Sequence, residues 1–164
     1  MGIPDRALAL EKRAMGRSGE QTLPAAYELL YEQWQSSDND RELGLHLMFL
    51  AWYLCAEPEF LTGYEGDRME RDGSSGRLAD TFVEVHDALS NTMAGDAEFN
   101  FVVSVMASTF PWCCDPTQAP AWERTAVERR RRYQRRQPRG LAPSIFEGRG
   151  YYGEYFLHSL RIHG

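Results

Sequence analysis

The side chains best equipped for chemistry in this chain are four histidines, three cysteines and a dense run of arginines. His46 sits inside an apolar stretch. His86 lies two residues from Glu84, and His158 and His163 are five apart, so neither spacing shares one helical face. A zinc site needs three or four converging ligands, and the sequence has neither a His-Glu-x-x-His nor a paired Cys-x-x-Cys motif. Each histidine therefore reads as a core or solvated residue. Cys55 stands alone and Cys113 adjoins Cys114, an odd count that argues for small buried thiols in a reducing compartment. A cysteine nucleophile needs a histidine base beside it, and His86 with Cys113 or Cys114 is the pairing left open. There is no Gly-x-Ser-x-Gly elbow, and Gly148-Arg149-Gly150 lacks the lysine-serine ending of a phosphate loop. No metal and no cofactor are expected.

Charge is the stronger signal. Over 164 residues the net charge is −6, but residues 1–118 carry 8 basic and 20 acidic side chains and residues 119–164 carry 10 and 4. Such asymmetry marks interaction surfaces and says nothing about fold. Of the basic residues only Lys12 is lysine; the rest are arginines, which form forked contacts to carboxylates and phosphates. Seven arginines fall between Glu128 and Arg139. With Tyr133 for stacking they outline a basic surface of Arg129, Arg130, Arg132, Arg135 and Arg136 for nucleic acid. On a helix, however, they are expected to spread around the circumference, and the acidic balance of the whole chain argues against that partner. The mirror image is the segment 57–76, with Glu57, Glu59, Glu65, Asp67, Glu70 and Asp72 against Arg68 and Arg71. Phe60 and Tyr64 within it are aromatic anchors of the kind that binding hot spots use.

The elements that must position these groups are helices. A short one follows Asp5 and reaches Met15; its apolar face is thin, so residues 1–20 are expected to be loosely attached. Thr22 caps the next, with Pro24 in its first turn and Leu23, Tyr27, Leu30, Tyr31 and Trp34 on one face. Asn39 with Glu42 reads as a capping pair opening a helix over 39–56, apolar nearly all round and hence central. Its longest uncharged run, Leu43–Ala56, is too short to span a bilayer, which takes about 20 residues. Residues 57–76 read as an irregular connection. Leu78, Phe82, Val85, Leu89 and Met93 define a helix over 77–93, and Asp96 caps another reaching Phe110. A surface helix runs from Pro120 to Gln137, and a closing helix holds Tyr152, Tyr155, Phe156 and Leu160. No stretch alternates as a strand does. The expectation is an all-α single domain of six to seven helices over residues 1–164, built from antiparallel hairpins such as 22–36/39–56 and 77–93/96–110.

Two blocks carry a resemblance: Phe49–Gly63, reading FLAWYLCAEPEFLTG, and Phe146–Phe156, reading FEGRGYYGEYF. Together they resemble small α-helical immunity proteins encoded beside bacterial polymorphic toxins. The resemblance implies a cytoplasmic, non-catalytic protein that binds a toxin domain tightly and occludes its active site. The N-terminus has no apolar core of a secretory signal, which agrees. The expected partner is a basic toxin domain, with neither membrane nor nucleic acid involved. The expected contact surface is Glu57, Glu59, Phe60, Tyr64, Glu65, Asp67, Glu70 and Asp72. The alternatives are a nucleic-acid-associated regulator using the arginine helix and an enzyme built on His86 and the adjacent cysteines. The glycines of the second block have a structural reading as well, since they let aromatic rings pack against backbone.

Overall fold

The structure, a computed structural model, describes residues 2–16, 19–66 and 76–163. Among them there is no strand. The helices are α1 (Asp5–Arg13), α2 (Leu23–Gln35), α3 (Arg41–Ala56), α4 (Glu59–Thr62), α5 (Arg77–Met93), α6 (Ala97–Thr109), α7 (Pro111–Cys114), α8 (Ala119–Arg136) and α9 (Gly150–His163). Short 3-10 turns occupy Gly19–Thr22, Pro116–Gln118 and Pro143–Phe146. The chain is the all-α bundle its periodicities predict. The one-turn helices α4 and α7 fall where the sequence reads as connection, being too short for a repeating apolar pattern.

The central helix is α3. Every residue from Leu43 to Leu54 is buried, and α2, α5, α6, α7 and α9 all pack on it. A helix apolar around its whole circumference has to be surrounded in this way. Gly44 lets α2 and α5 approach closely, because a Cβ there would lie 3.0 Å from both Trp34 and Leu89. The cap differs from expectation by one residue. Asp40, not Asn39, accepts the Leu43 N–H at 2.9 Å, while Asn39 takes a left-handed turn (φ 52°) that short polar side chains tolerate. Thr22 holds the N-cap position of α2 as expected, but its hydroxyl makes no capping bond; it donates to the carbonyls of Leu10 and Gly19 and ties the entry turn to α1. Asp96 caps α6 as expected, accepting from Phe99 N at 2.8 Å.

Backbone packing groups the helices differently from their order in sequence. α5 lies chiefly on α3, and α6 chiefly on α8. The short α5–α6 turn brings these two helices together through side chains, with His86 stacked on Phe99 at 5.8 Å. α9 closes the bundle through its aromatic rings. Phe49 of α3 meets Tyr151, Tyr152, Tyr155 and Phe156 at centroid distances of 5.2 to 6.3 Å. Gly153 permits this closure: a Cβ there would stand 2.1 Å from the Phe146 carbonyl oxygen.

The N-terminal helix is anchored, although its apolar face is as thin as the sequence suggests. Ala7 and Glu11 are fully buried, and α1 packs on α2 and α9. The anchor is the Glu11 carboxylate, which hydrophobic patterning does not register.

Candidate functional site

Three polar assemblies stand out. The first is interior. His46 Nδ1 meets Glu11 Oε2 at 2.6 Å, and its Nε2 lies 3.2 Å from Glu42 Oε1, one turn earlier on α3. With a carboxylate at each nitrogen, both positions donate and the ring is an imidazolium. Burial disfavours that charge, but Glu11 and Glu42 outweigh burial and raise the His46 pKa. Glu42 in turn is pulled down to about 2 against the effect of burial, by His46 and Arg149. Arg149 donates from Nε to Glu42 at 2.7 Å and from Nη1 to Glu98 Oε1 at 2.6 Å and the Ile145 carbonyl at 2.9 Å. Arg41 holds the other side, donating to Glu98 Oε2 at 2.8 Å and to Asp96. Tyr152 completes the set: its hydroxyl donates to Glu98 at 2.6 Å, its N–H to Glu11 at 3.1 Å, and its ring stacks on His46 at 4.5 Å. No lone pair on His46 is left for a substrate. The assembly instead stitches α1, α3, α6 and α9 together. The signal for it in the sequence is the Glu42–His46 spacing of four on one helix.

The second assembly reaches the surface. The Tyr53 and Tyr151 hydroxyls lie 2.8 Å apart and both donate to Glu20 Oε1, at 3.2 and 2.8 Å. The other oxygen, Glu20 Oε2, is enclosed and accepts no hydrogen bond among the described residues. Glu57, at the end of α3, sits close enough that burial and the Glu20 charge push its carboxyl above the usual range. Burial and these carboxylates likewise raise the Tyr53 and Tyr151 hydroxyls. Alongside opens a groove of about 440 Å³ lined by Met15, Tyr151, Glu154 and Tyr155, with Met15 48% exposed. Helix α4 packs on the Gly19–Thr22 turn, and its Glu59 and Leu61 are exposed, as is Glu65 beyond it.

The residues of the expected acidic surface differ in their exposure. Glu57 is half-buried, and Glu59 and Glu65 are exposed. Tyr64 is not a surface anchor: it is 5% exposed and meets the Tyr27 ring edge-on at 6.3 Å. Gly63 in the left-handed conformation (φ 70°) turns the chain so that Tyr64 folds inward. The Phe60 side chain and the residues Asp67, Glu70 and Asp72 lie outside those described. Glu20, Tyr151 and Glu154, at the tyrosine pair and its groove, come from elsewhere in the sequence, and no local spacing announces them.

The third assembly is α8. Its arginines are sorted, not evenly spread. Arg129 is 6% exposed and faces inward, over the Phe99 ring at 4.8 Å, donating to Ser90 at 2.9 Å, to Asn100 Oδ1 at 3.2 Å and to His86 Nε2 at 3.3 Å. It is therefore no part of a basic surface. Arg130 donates to the His163 carbonyl at 2.6 Å. Arg132, Arg135 and Arg136 line one pocket with Ala94 and Gly95.

This arrangement also decides the His86 geometry. Arg129 can only donate, so His86 Nε2 accepts, and Nδ1–H donates to Asp87 at 3.0 Å. Burial and Arg129 lower the His86 pKa and keep the ring neutral. Cys113 and Cys114 are buried, and burial raises the Cys114 thiol well above its ordinary value. Both His86 nitrogens are engaged elsewhere, so His86 and these thiols do not form a nucleophile and base. Among the described residues no cluster of three His, Cys, Asp or Glu side chains is placed to hold a metal, and no helix is long and apolar enough to cross a membrane.

Comparison with known protein families, with curated proteins and with solved structures finds no match to this chain.

Proposed function

We propose that this chain is an immunity-type binding protein that offers its acidic and aromatic face to a basic toxin domain and blocks that domain's active site by steric occlusion. The face comprises Glu20, Glu57, Glu59, Glu65 and Glu154 with the groove at Met15, Tyr151 and Tyr155. One observation supports it above the others. The Glu20 and Glu57 carboxylates crowd each other, and Glu20 keeps an enclosed oxygen without a hydrogen-bond partner among the described residues, beside an open aromatic groove. An arginine or lysine lodged in that groove pairs with Glu154 on its wall and answers the crowded charge of Glu20 and Glu57 through space, with ring faces to receive its stem. A buried ionic network behind the face keeps the surface stiff, which limits the ordering cost of association.

The test is co-expression with the toxin domain from the adjoining reading frame. The wild-type chain restores growth and binds the purified domain. Glu59→Lys with Glu65→Lys slows association and removes most of its dependence on salt, since complementary charge acts mainly on encounter. Unchanged association kinetics reject this surface; failure of the wild-type chain to bind or protect rejects the immunity reading.

A further inference from the structure

The geometry points to a second binding site, on the opposite charge: the pocket formed by Ala94, Gly95, Arg132, Arg135 and Arg136 takes a compact oligophosphate, of the kind a nucleotide or a polyphosphate ester carries. The pocket measures about 440 Å³, within the roughly 300–1,000 Å³ typical of small-ligand sites. Three guanidinium groups line it, and among the described residues none of the three meets a carboxylate. Glu128, one turn before Arg132, makes no ion pair with it. Behind them the buried Arg129 meets no carboxylate at ion-pair distance among the described residues; burial and the Arg132 charge work against its proton, and the Glu128 charge favours it. Three cations of α8 thus line one pocket at the α5–α6 turn with no carboxylate partner among the described residues, while Arg129 is held inside on neutral groups. The floor is small, because Gly95 leaves space that a Cβ would take to within 3.2 Å of Arg136 Nη2. Forked guanidinium groups around a small concave floor suit tetrahedral oxyanions, which accept several charge-assisted hydrogen bonds at once.

The chemistry favours an oligophosphate over two rivals. A single carboxylate leaves most of the positive charge unanswered. A nucleic-acid strand needs a continuous basic track with rings on which bases stack. Here Arg129 is interior, Arg130 is committed to the His163 carbonyl, no aromatic side chain lines the pocket, and residues 1–118 are strongly acidic. A purely local role also exists for these arginines, since cations favour the C-terminal end of a helix such as α5.

Calorimetric titration of the full chain with sodium tripolyphosphate at low ionic strength separates these readings. The expected result is saturable one-to-one binding that weakens about tenfold or more in Arg132→Gln/Arg136→Gln and is unchanged in Arg131→Gln/Arg139→Gln. Circular dichroism melts confirm that both variants fold; the substituted side chains are exposed. ATP binding with the same losses places the ligand among nucleotides, whereas tripolyphosphate binding without ATP binding restricts it to phosphate chains. The proposal is overturned by absence of tripolyphosphate binding, by equal weakening in both double variants, or by a duplex DNA oligonucleotide binding more tightly than tripolyphosphate. A lower melting temperature for Arg132→Gln/Arg136→Gln with no change in anion affinity overturns it in favour of the helix-end role.

Discussion

Glu11 and His46, 35 positions apart in sequence, meet at 2.6 Å with neither side chain exposed to solvent. Removing one partner leaves a buried charge without its counterion, typically a loss of about 3–5 kcal/mol, whereas replacing both by neutral groups is far milder. His46→Leu is therefore expected to lower stability by about that amount in urea unfolding. Glu11→Gln/His46→Leu recovers part of the loss, because glutamine still accepts from Tyr152 N.

The same network sets how stability depends on pH. His46 has a raised folded-state pKa, so its contribution is complete below the unfolded value of about 6.5 and fades as pH rises through the folded one. Glu42 falls from 4.5 to about 2, so its contribution is complete above 4.5 and fades as pH drops toward 2. Urea midpoints measured against pH should peak between about 4.5 and 6.5. His46→Gln should flatten the decline on the alkaline side and leave a loss on the acid side.

Glu57 shows the reverse sign. Its carboxyl is raised by burial and by Glu20, so at neutral pH its charge weakens the fold. Glu57→Gln is expected to raise the melting temperature by about 1–2 °C while weakening the toxin complex proposed above. A variant that gains stability and keeps full affinity contradicts a role for this carboxylate in binding.

Gly153 and Gly148 separate two reasons for glycine. Gly153→Ala drives a Cβ into the Phe146 carbonyl and should cost about 2–3 kcal/mol in chemical denaturation. Gly148 has open space around it and only its positive φ (73°), so Gly148→Ala should cost about 1 kcal/mol.

What was legible in the sequence follows from which forces are periodic. Leu78, Phe82, Val85, Leu89 and Met93 repeat with the helical turn because one face is apolar, and α5 spans the predicted residues. The all-round apolarity of 43–54 likewise reveals α3 as the centre. Ionic contacts have no period. Arg149 reaches Glu42 across 107 positions and Glu98 across 51, so the residues that anchor α1 and α9 are invisible to spacing. Tyr64 and Arg129 show the converse. Residue type suggests surface for both, but a left-handed glycine turns one inward and the Ser90, Asn100 and Phe99 environment accommodates the other.

Arg149 and Tyr152 also impose an order on synthesis. During translation α3 and α6 leave the ribosome long before residues 149–152, and until those residues arrive Glu42 and Glu98 have no counterpart to neutralise them from that side. Before then Glu42 keeps His46 and Glu98 keeps Arg41, but the lone pairs that Arg149 and the Tyr152 hydroxyl later occupy need water in their place.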